Sequence, residues 1–338
     1  MRAHYRLTIL ILAFLGSTGI LTAQMPPPVS PSPAPDKLAE QKMPVKRGVG
    51  WFRRPARSTP TEQETYAFGL YQADRLRVAA NAYQALVYAW PDSPQAATAQ
   101  FALAKIQQKR QRYQKAFDEY QYLIDHYAGQ FNYIEAIDLQ FQIANYLMNV
   151  KQGQFLLLPG FEAPERALPL FENIIRNAPS WEKTPLAQLN IGLIHEMNGD
   201  TEEAIAAFEV LLNRYPGSAW ASDASYHQAC GLEKLSADRP NDESAINAAR
   251  SALVEFIRTY PDNGGVPDAR LRLDRLNARR ERMAFERARF YDRLSRRQEA
   301  ALQAYEDFVK RFPSSESVPE ARERIEALKP LVKGTPKP

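Results

Sequence analysis

Cysteine is nearly absent: Cys230 is the only one in 338 residues. No disulfide can close within the chain, and no CxxC pair exists to hold a metal or carry electrons. Between Ala229 and Gly231 the thiol reads as a small apolar core group. Histidine is scarce too, with His4, His126, His195 and His227 far apart. His195-Glu196 continues into Met197-Asn198-Gly199 and so misses the HExxH zinc spacing; His195 reads as a packing residue. No GxSxG elbow and no GxxxxGK[ST] loop occurs, and no carboxylate pair is set apart by pattern. Gly264-Gly265 sits in PDNGGVPD, a turn between helices. No catalytic, cofactor-binding or metal-binding residue is therefore assigned; the chain reads as non-enzymatic, with no small-molecule substrate. A net charge of +4 is too small to argue for nucleic acid.

The chain does have a basic, then apolar start. Arg2 and Arg6 precede an apolar run over residues 7–15, and Leu21-Thr22-Ala23 offers a small residue for cleavage. This is the layout of a secretory signal over 1–23, with retention as a short anchor the alternative. Gln24 stands where a lipoprotein would carry its acylated cysteine, so there is no lipobox thiol. Six prolines follow between positions 26 and 35, which favours an extended tether. The whole of 24–60 reads as a Pro-rich, basic, disordered linker. Its Lys42, Lys46, Arg47, Arg53, Arg54 and Arg57, with Trp51 and Phe52, could also rest on an anionic membrane or wall polymer.

From residue 61 the chain repeats itself. AIAAFEVLLNRYPGS at 204–218 returns as ALQAYEDFVKRFPSS at 301–315. Six segments end at Trp90, Tyr127, Ala178, Tyr215, Tyr260 and Phe312, all but Tyr127 followed by proline. Seven residues before each stop is Tyr83, Tyr120, Phe171, Phe208, Leu253 or Tyr305. Eleven before is always alanine, and three and four before are large apolar groups. Such offsets lie on one helical face, alanine allows close helix approach, and proline ends the segment. Each segment has a partner helix ahead of it. In PLAQLNIGLIHEMN (185–198), Thr184 is the expected N-cap, Gly199 the stop, and Asp200 with Glu203 a capping box for the next helix.

Stop-to-stop spacings of 37, 51, 37, 45 and 52 all exceed the tetratricopeptide period of about 34, two of them by only a few residues. The expectation is an all-α tetratricopeptide-repeat superhelix of about six helix pairs plus a C-terminal capping helix, because one pair cannot bury its own stripe. Repeats fall near 61–91, 94–128, 131–179, 184–216, 218–261 and 266–313, with a cap at 316–328. The repeat domain spans 61–330 and a tail covers 331–338. The long spacings imply lengthened helices or insertions, at 151–163 (KQGQFLLLPGFEA) and at 237–243 (ADRPNDE). Phe155, Leu156, Leu157, Leu158 and Phe161 are too apolar to face water and are expected to fold over the array or meet a partner. Residues 268–297 hold eleven arginines against five acidic residues. That is either a helix laced with ion pairs or a basic ridge for an acidic partner.

The repeat stack, the secretory start, the YPxS punctuation and VPDARLRLDRLNARRERMAFERARFYDRL together resemble the BamD-type outer-membrane assembly proteins of Gram-negative bacteria. The similarity is best over 218–328 and includes the PGF insertion near 155–171. It implies export to the periplasm or the periplasmic face of the outer membrane. The implied partners are proteins: the insertase of the assembly complex and unfolded outer-membrane proteins. It places client contacts at Phe68, Tyr71, Phe101 and Lys105, and partner docking at Arg279, Arg280 and Arg282. The missing lipobox cysteine and a sixth repeat depart from the family. The alternative is a periplasmic repeat adaptor of the cell-division coordinator type, although no heptads precede the repeats here.

Overall fold

The computed structural model describes residues 54–152, 161–294 and 297–333. The expected signal, most of the basic linker and residues 155–158 of the apolar insertion lie outside them. Thirteen α-helices follow one another in antiparallel pairs among the described residues. They are α1 (Pro60–Gln72) with α2 (Leu76–Ala89), α3 (Pro94–Lys109) with α4 (Tyr113–His126), and α5 (Tyr133–Asn149) with α6 (Leu168–Asn177). Next come α7 (Thr184–Asn198) with α8 (Thr201–Arg214), α9 (Ala221–Asp238) with α10 (Glu243–Thr259), and α11 (Val266–Arg289) with α12 (Gln298–Arg311). α13 (Val318–Lys333) closes the stack. A 3-10 turn at Pro164–Ala167 leads into α6, and a π-helical turn at Phe290–Leu294 extends α11. The only strands among the described residues are two dipeptides, Lys151–Gln152 and Phe161–Glu162, paired antiparallel at the neck of the insertion.

The repeated register is what the interior is made of. Ala79, Ala116, Ala167, Ala204, Ala249 and Ala301 are all buried, as are Tyr83, Tyr120, Phe171, Phe208, Leu253 and Tyr305. The small residue lets the paired helix come close while the ring one turn later fills the space between them. At Gly192 the approach is closer still: a Cβ there would stand 2.3 Å from the Phe208 ring. Gly199 ends α7 in the left-handed region at φ 88°, a conformation glycine adopts without strain.

A second ladder runs beneath the apolar one. Gln63, Gln100 and Gln188, buried on α1, α3 and α7, each donate from Nε2 at 2.9 Å to the carbonyl nineteen residues on, at Ala82, Glu119 and Ala207. Each amide ties the first helix of a pair to the second and satisfies a group that burial would otherwise leave costly.

Several local expectations are corrected. Thr184 is the first residue of α7 and not its cap: its hydroxyl donates to the Ala178 carbonyl at 2.6 Å. Asp200 holds the N-cap position of α8 but caps nothing with its side chain; its carboxylate lies 3.6 Å from His195 Nδ1. Residues 237–243 are no insertion. Ala237 and Asp238 still belong to α9, and Glu243 opens α10 under an Asp242 cap. The long fourth spacing comes from helices of 18 and 17 residues. The last comes from α11, 24 residues before its π turn. The closing helix runs on to Lys333, past Pro330.

That length of α11 changes the stacking. Its first half, with Ala269 and Leu276, joins the core of α9 and α10. Its second half, with Phe285 and Ala288, joins that of α12 and α13. The last pair is thus set further along α11. The end of α12 meets the start of α10, where Arg311 pairs with Glu243 at 2.7 Å.

Candidate interaction surfaces

The first helices of successive pairs are neighbours, and on α1, α3 and α5 their outward sides carry aromatic and charged groups together. Phe68 and Tyr71 on α1 are 36% and 38% exposed. Two further side chains cross from α3. Lys109 places its ammonium 5.4 Å from the Tyr71 ring and pairs with Asp74 at 2.9 Å. Lys105 sits 4.3 Å above the Phe101 ring and pairs with Glu135 of α5 at 2.6 Å. Phe101 is half-buried, its ring meeting Tyr120 edge-on at 5.8 Å. The structure therefore brings Phe68, Tyr71, Phe101 and Lys105 onto one face. Phe68 and Tyr71 present open rings there, while Phe101 belongs partly to the core. Lys109 and Glu135 were missed from sequence, yet Lys109 lies one turn beyond Lys105 and its place was legible. Ile134, 51% exposed at the start of α5, extends the apolar content of the region.

On α11 the expected docking triplet divides. Arg279 donates to the carbonyl of Ser236 at 2.9 Å and caps the end of α9. Arg280 turns toward α10 and α12 and is partly buried. Arg282 alone is exposed. It continues a stripe of exposed residues, Leu271, Arg275 and Ala278, at spacings of four, three and four. The other arginines of α11 are largely engaged. Arg272 is bonded to both Asp268 and Glu233, Arg287 pairs with Glu243, and Arg289 with Glu286. Asp268 is half-freed from water, which would raise its pKa, but hydrogen bonds from Arg272 and Tyr226 bring it below the usual carboxylate range.

A cavity of about 470 Å³ opens between the end of α7, α8, α9 and α11, with Phe208, His227, Cys230, Lys234, Arg275 and Arg279 in its wall. Cys230 is thus at a cavity edge and not in the deep core, and burial pushes its thiol up to about 11. A thiol so protonated at neutral pH is a poor nucleophile. His227 is held by Glu196 at 2.7 Å. No cluster of three metal-ligating side chains occurs among the described residues, and no helix there is long and apolar enough to cross a membrane.

The family described as outer membrane lipoprotein (YfiO) matches residues 198–328, and the tetratricopeptide repeat matches 69–131 and 162–219. The outer membrane protein assembly factor BamD of Caulobacter vibrioides is 28% identical over 160 residues, covering 47% of this chain and 52% of that protein. The chain thus spans about half the length of the curated relative it matches. Among solved structures, a TPR repeats protein from Bacteroides fragilis is 12% identical at a TM-score of 0.38, over 80% of this chain and all of that one. The C-terminal part of a TPR repeat-containing protein from Cytophaga hutchinsonii is 15% identical at a TM-score of 0.33, over 79% and 88%. The chain is a tetratricopeptide-repeat protein similar to the BamD type.

Proposed function

Starting from this likeness to BamD-type assembly factors, we propose that the chain is a non-enzymatic scaffold of the cell envelope that takes part in outer-membrane protein assembly. In this reading it is exported, and the α1–α3–α5 face receives unfolded outer-membrane proteins while the exposed side of α11 meets the barrel-forming insertase. The observation that carries the client half is a surface of partly open rings, Phe68 and Tyr71, with the Lys109 ammonium over Tyr71 and that of Lys105 over Phe101 on the neighbouring helix. An extended segment rich in aromatic side chains can lay rings against such a surface and give its backbone carbonyls to the lysines. For the partner half, the likeness to the YfiO family lies over α8 to α13, and the Leu271–Arg275–Arg282 stripe there is an exposed face of α11.

Crosslinking in envelope extracts tests the reading: the scaffold should recover the insertase, and recovery of cell-division proteins alone would overturn it. The Arg275→Glu/Arg282→Glu pair should abolish that recovery while helical content and melting stay unchanged. Unaltered recovery would remove α11 from the interface.

A further inference from the structure

Where the end of α12 meets the start of α10, two guanidinium groups bind one carboxylate, and those of Arg280 and Arg250 stand close by. Glu243 accepts from Arg311 at 2.7 Å through one oxygen and from Arg287 at 3.0 Å through the other. Those bonds hold its carboxyl below the usual carboxylate range, Arg311 first and Arg287 second. It is therefore ionised at neutral pH, and both its oxygens are already taken. Arg250 of α10 is turned to Asn277 of α11, a neutral acceptor, at 2.7 Å. Arg280 stands among them with its Nε buried and without a hydrogen-bond partner among the described residues. Burial chiefly, then the charges of Arg250 and Arg311, make its protonated state harder to hold. Arginine does not give up its proton, so the cluster retains a surplus of positive charge and an unused donor. A guanidinium left in this condition is destabilising, unless an anion completes the shell.

We propose that this joint is a phosphate-binding site, with Arg280 as its central ligand and Arg250 and Arg311 beside it. A tetrahedral oxyanion suits the place better than a second carboxylate. The donors come from three different helices, α10, α11 and α12, and a phosphate offers an oxygen to each. A carboxylate has only two oxygens, which in Glu243 serve two guanidinium groups, and cannot give one to each of three. The phosphate can be free or carried on a lipid headgroup; the chemistry at the arginines is the same. Bound there, it ties the α12–α13 pair to α10 across the step that the long α11 creates. This site is separate from the exposed Arg275 and Arg282 of the proposed partner surface, so the two readings can fail independently.

The test uses the full chain. Inorganic phosphate at about ten times its dissociation constant should raise the melting temperature by about 2–4 °C, whereas sodium chloride at matched ionic strength should not. Arg280→Gln should weaken phosphate binding by about tenfold or more in calorimetry and erase the thermal shift. Should that variant fail to fold, Arg250→Gln is read in the same titration and must weaken binding. In a second arm, flotation with phosphatidylglycerol vesicles is compared with phosphatidylcholine. Arg280-dependent capture by the first alone, without a response to free phosphate, assigns the site to a headgroup. If neither phosphate source acts through Arg280, or chloride reproduces the shift, or only an acidic peptide does, the proposal falls.

Discussion

The two halves of the stack are built from one register but are held together differently. From Ala67 to Ile194 a single apolar core runs unbroken through the first three pairs and into α7, and buried glutamines bridge helix to helix within pairs. Beyond it the core splits into separate clusters, one on Phe208 and Leu211 between α7, α8 and α9, one centred on Leu253 and Phe256 and another on Tyr305 and Phe308. There the bridges are ionic: Arg272 to Glu233 and Asp268, Glu243 to Arg287 and Arg311, Arg324 to Asp292. Uncharged amides tolerate a dry interior; ion pairs need one side wet. The difference teaches that one repeat register can be joined in two ways, by a continuous apolar seam with amide bridges or by separate apolar clusters with ionic ones.

The largest effect should come from emptying each core in turn. Phe171→Ala removes about 3–5 kcal/mol and should lower hydrogen-exchange protection across α1 to α7 together. Phe308→Ala, of similar size, should open α12 and α13 and leave α1 to α8 protected. Equal loss of protection across the chain in both variants would erase the distinction between the halves.

A smaller step is Gln100→Ala. It removes the amide bridge to the Glu119 carbonyl, which keeps its helical donor, and should cost about 0.5–1.5 kcal/mol, seen as a lower denaturation midpoint in the first half. Asp292→Asn, which weakens a carboxylate bonded by Arg324 at 2.8 and 2.9 Å, should cost about 1–2 kcal/mol because the arginine is partly wet, and only α11 to α13 should loosen.

Acid sharpens the contrast without mutation. Glu243 and Asp268 have folded pKa values below their ordinary ones. Their contribution is present above about pH 4.5 and is lost as pH falls through the folded values. Glu64 of the first half runs the other way: burial raises its pKa, so its protonation on acidification relieves the folded state. Exchange measured from pH 6 down to pH 3 should show α10 to α12 losing protection first; simultaneous loss would contradict the ionic account. The smallest effect on folding is expected from Phe68→Ala/Tyr71→Ala, which should leave the melting temperature within about 1 °C yet weaken binding of aromatic-rich client peptides about tenfold. Equal affinity would move the client surface elsewhere.

Much of this was legible because the repeat register is dictated by helix geometry: an alanine, a ring and an apolar pair at offsets of four, three and four have only one face to share. The glutamine ladder was there to be seen as well, in three residues at matching places, but a polar residue on a helix does not declare whether it is buried. The arginines of α11 could not be sorted in sequence. Which of Arg279, Arg280 and Arg282 faces out depends on how far the last pair slides along that helix, and the slide is fixed by contacts between segments, Phe285 with Tyr305 and Phe308. Thr184 misled for a similar reason: its hydroxyl found the Ala178 carbonyl, supplied by the preceding turn.

The shared spindle of α11 has a mechanical corollary. A load applied at the carboxyl end would be borne first by the α12–α13 hairpin, which clasps only the far portion of that rod, and the hairpin could be stripped away while the near portion stays seated against α9 and α10. Traction in the opposite sense, from the amino end, would meet no comparable seam before α7.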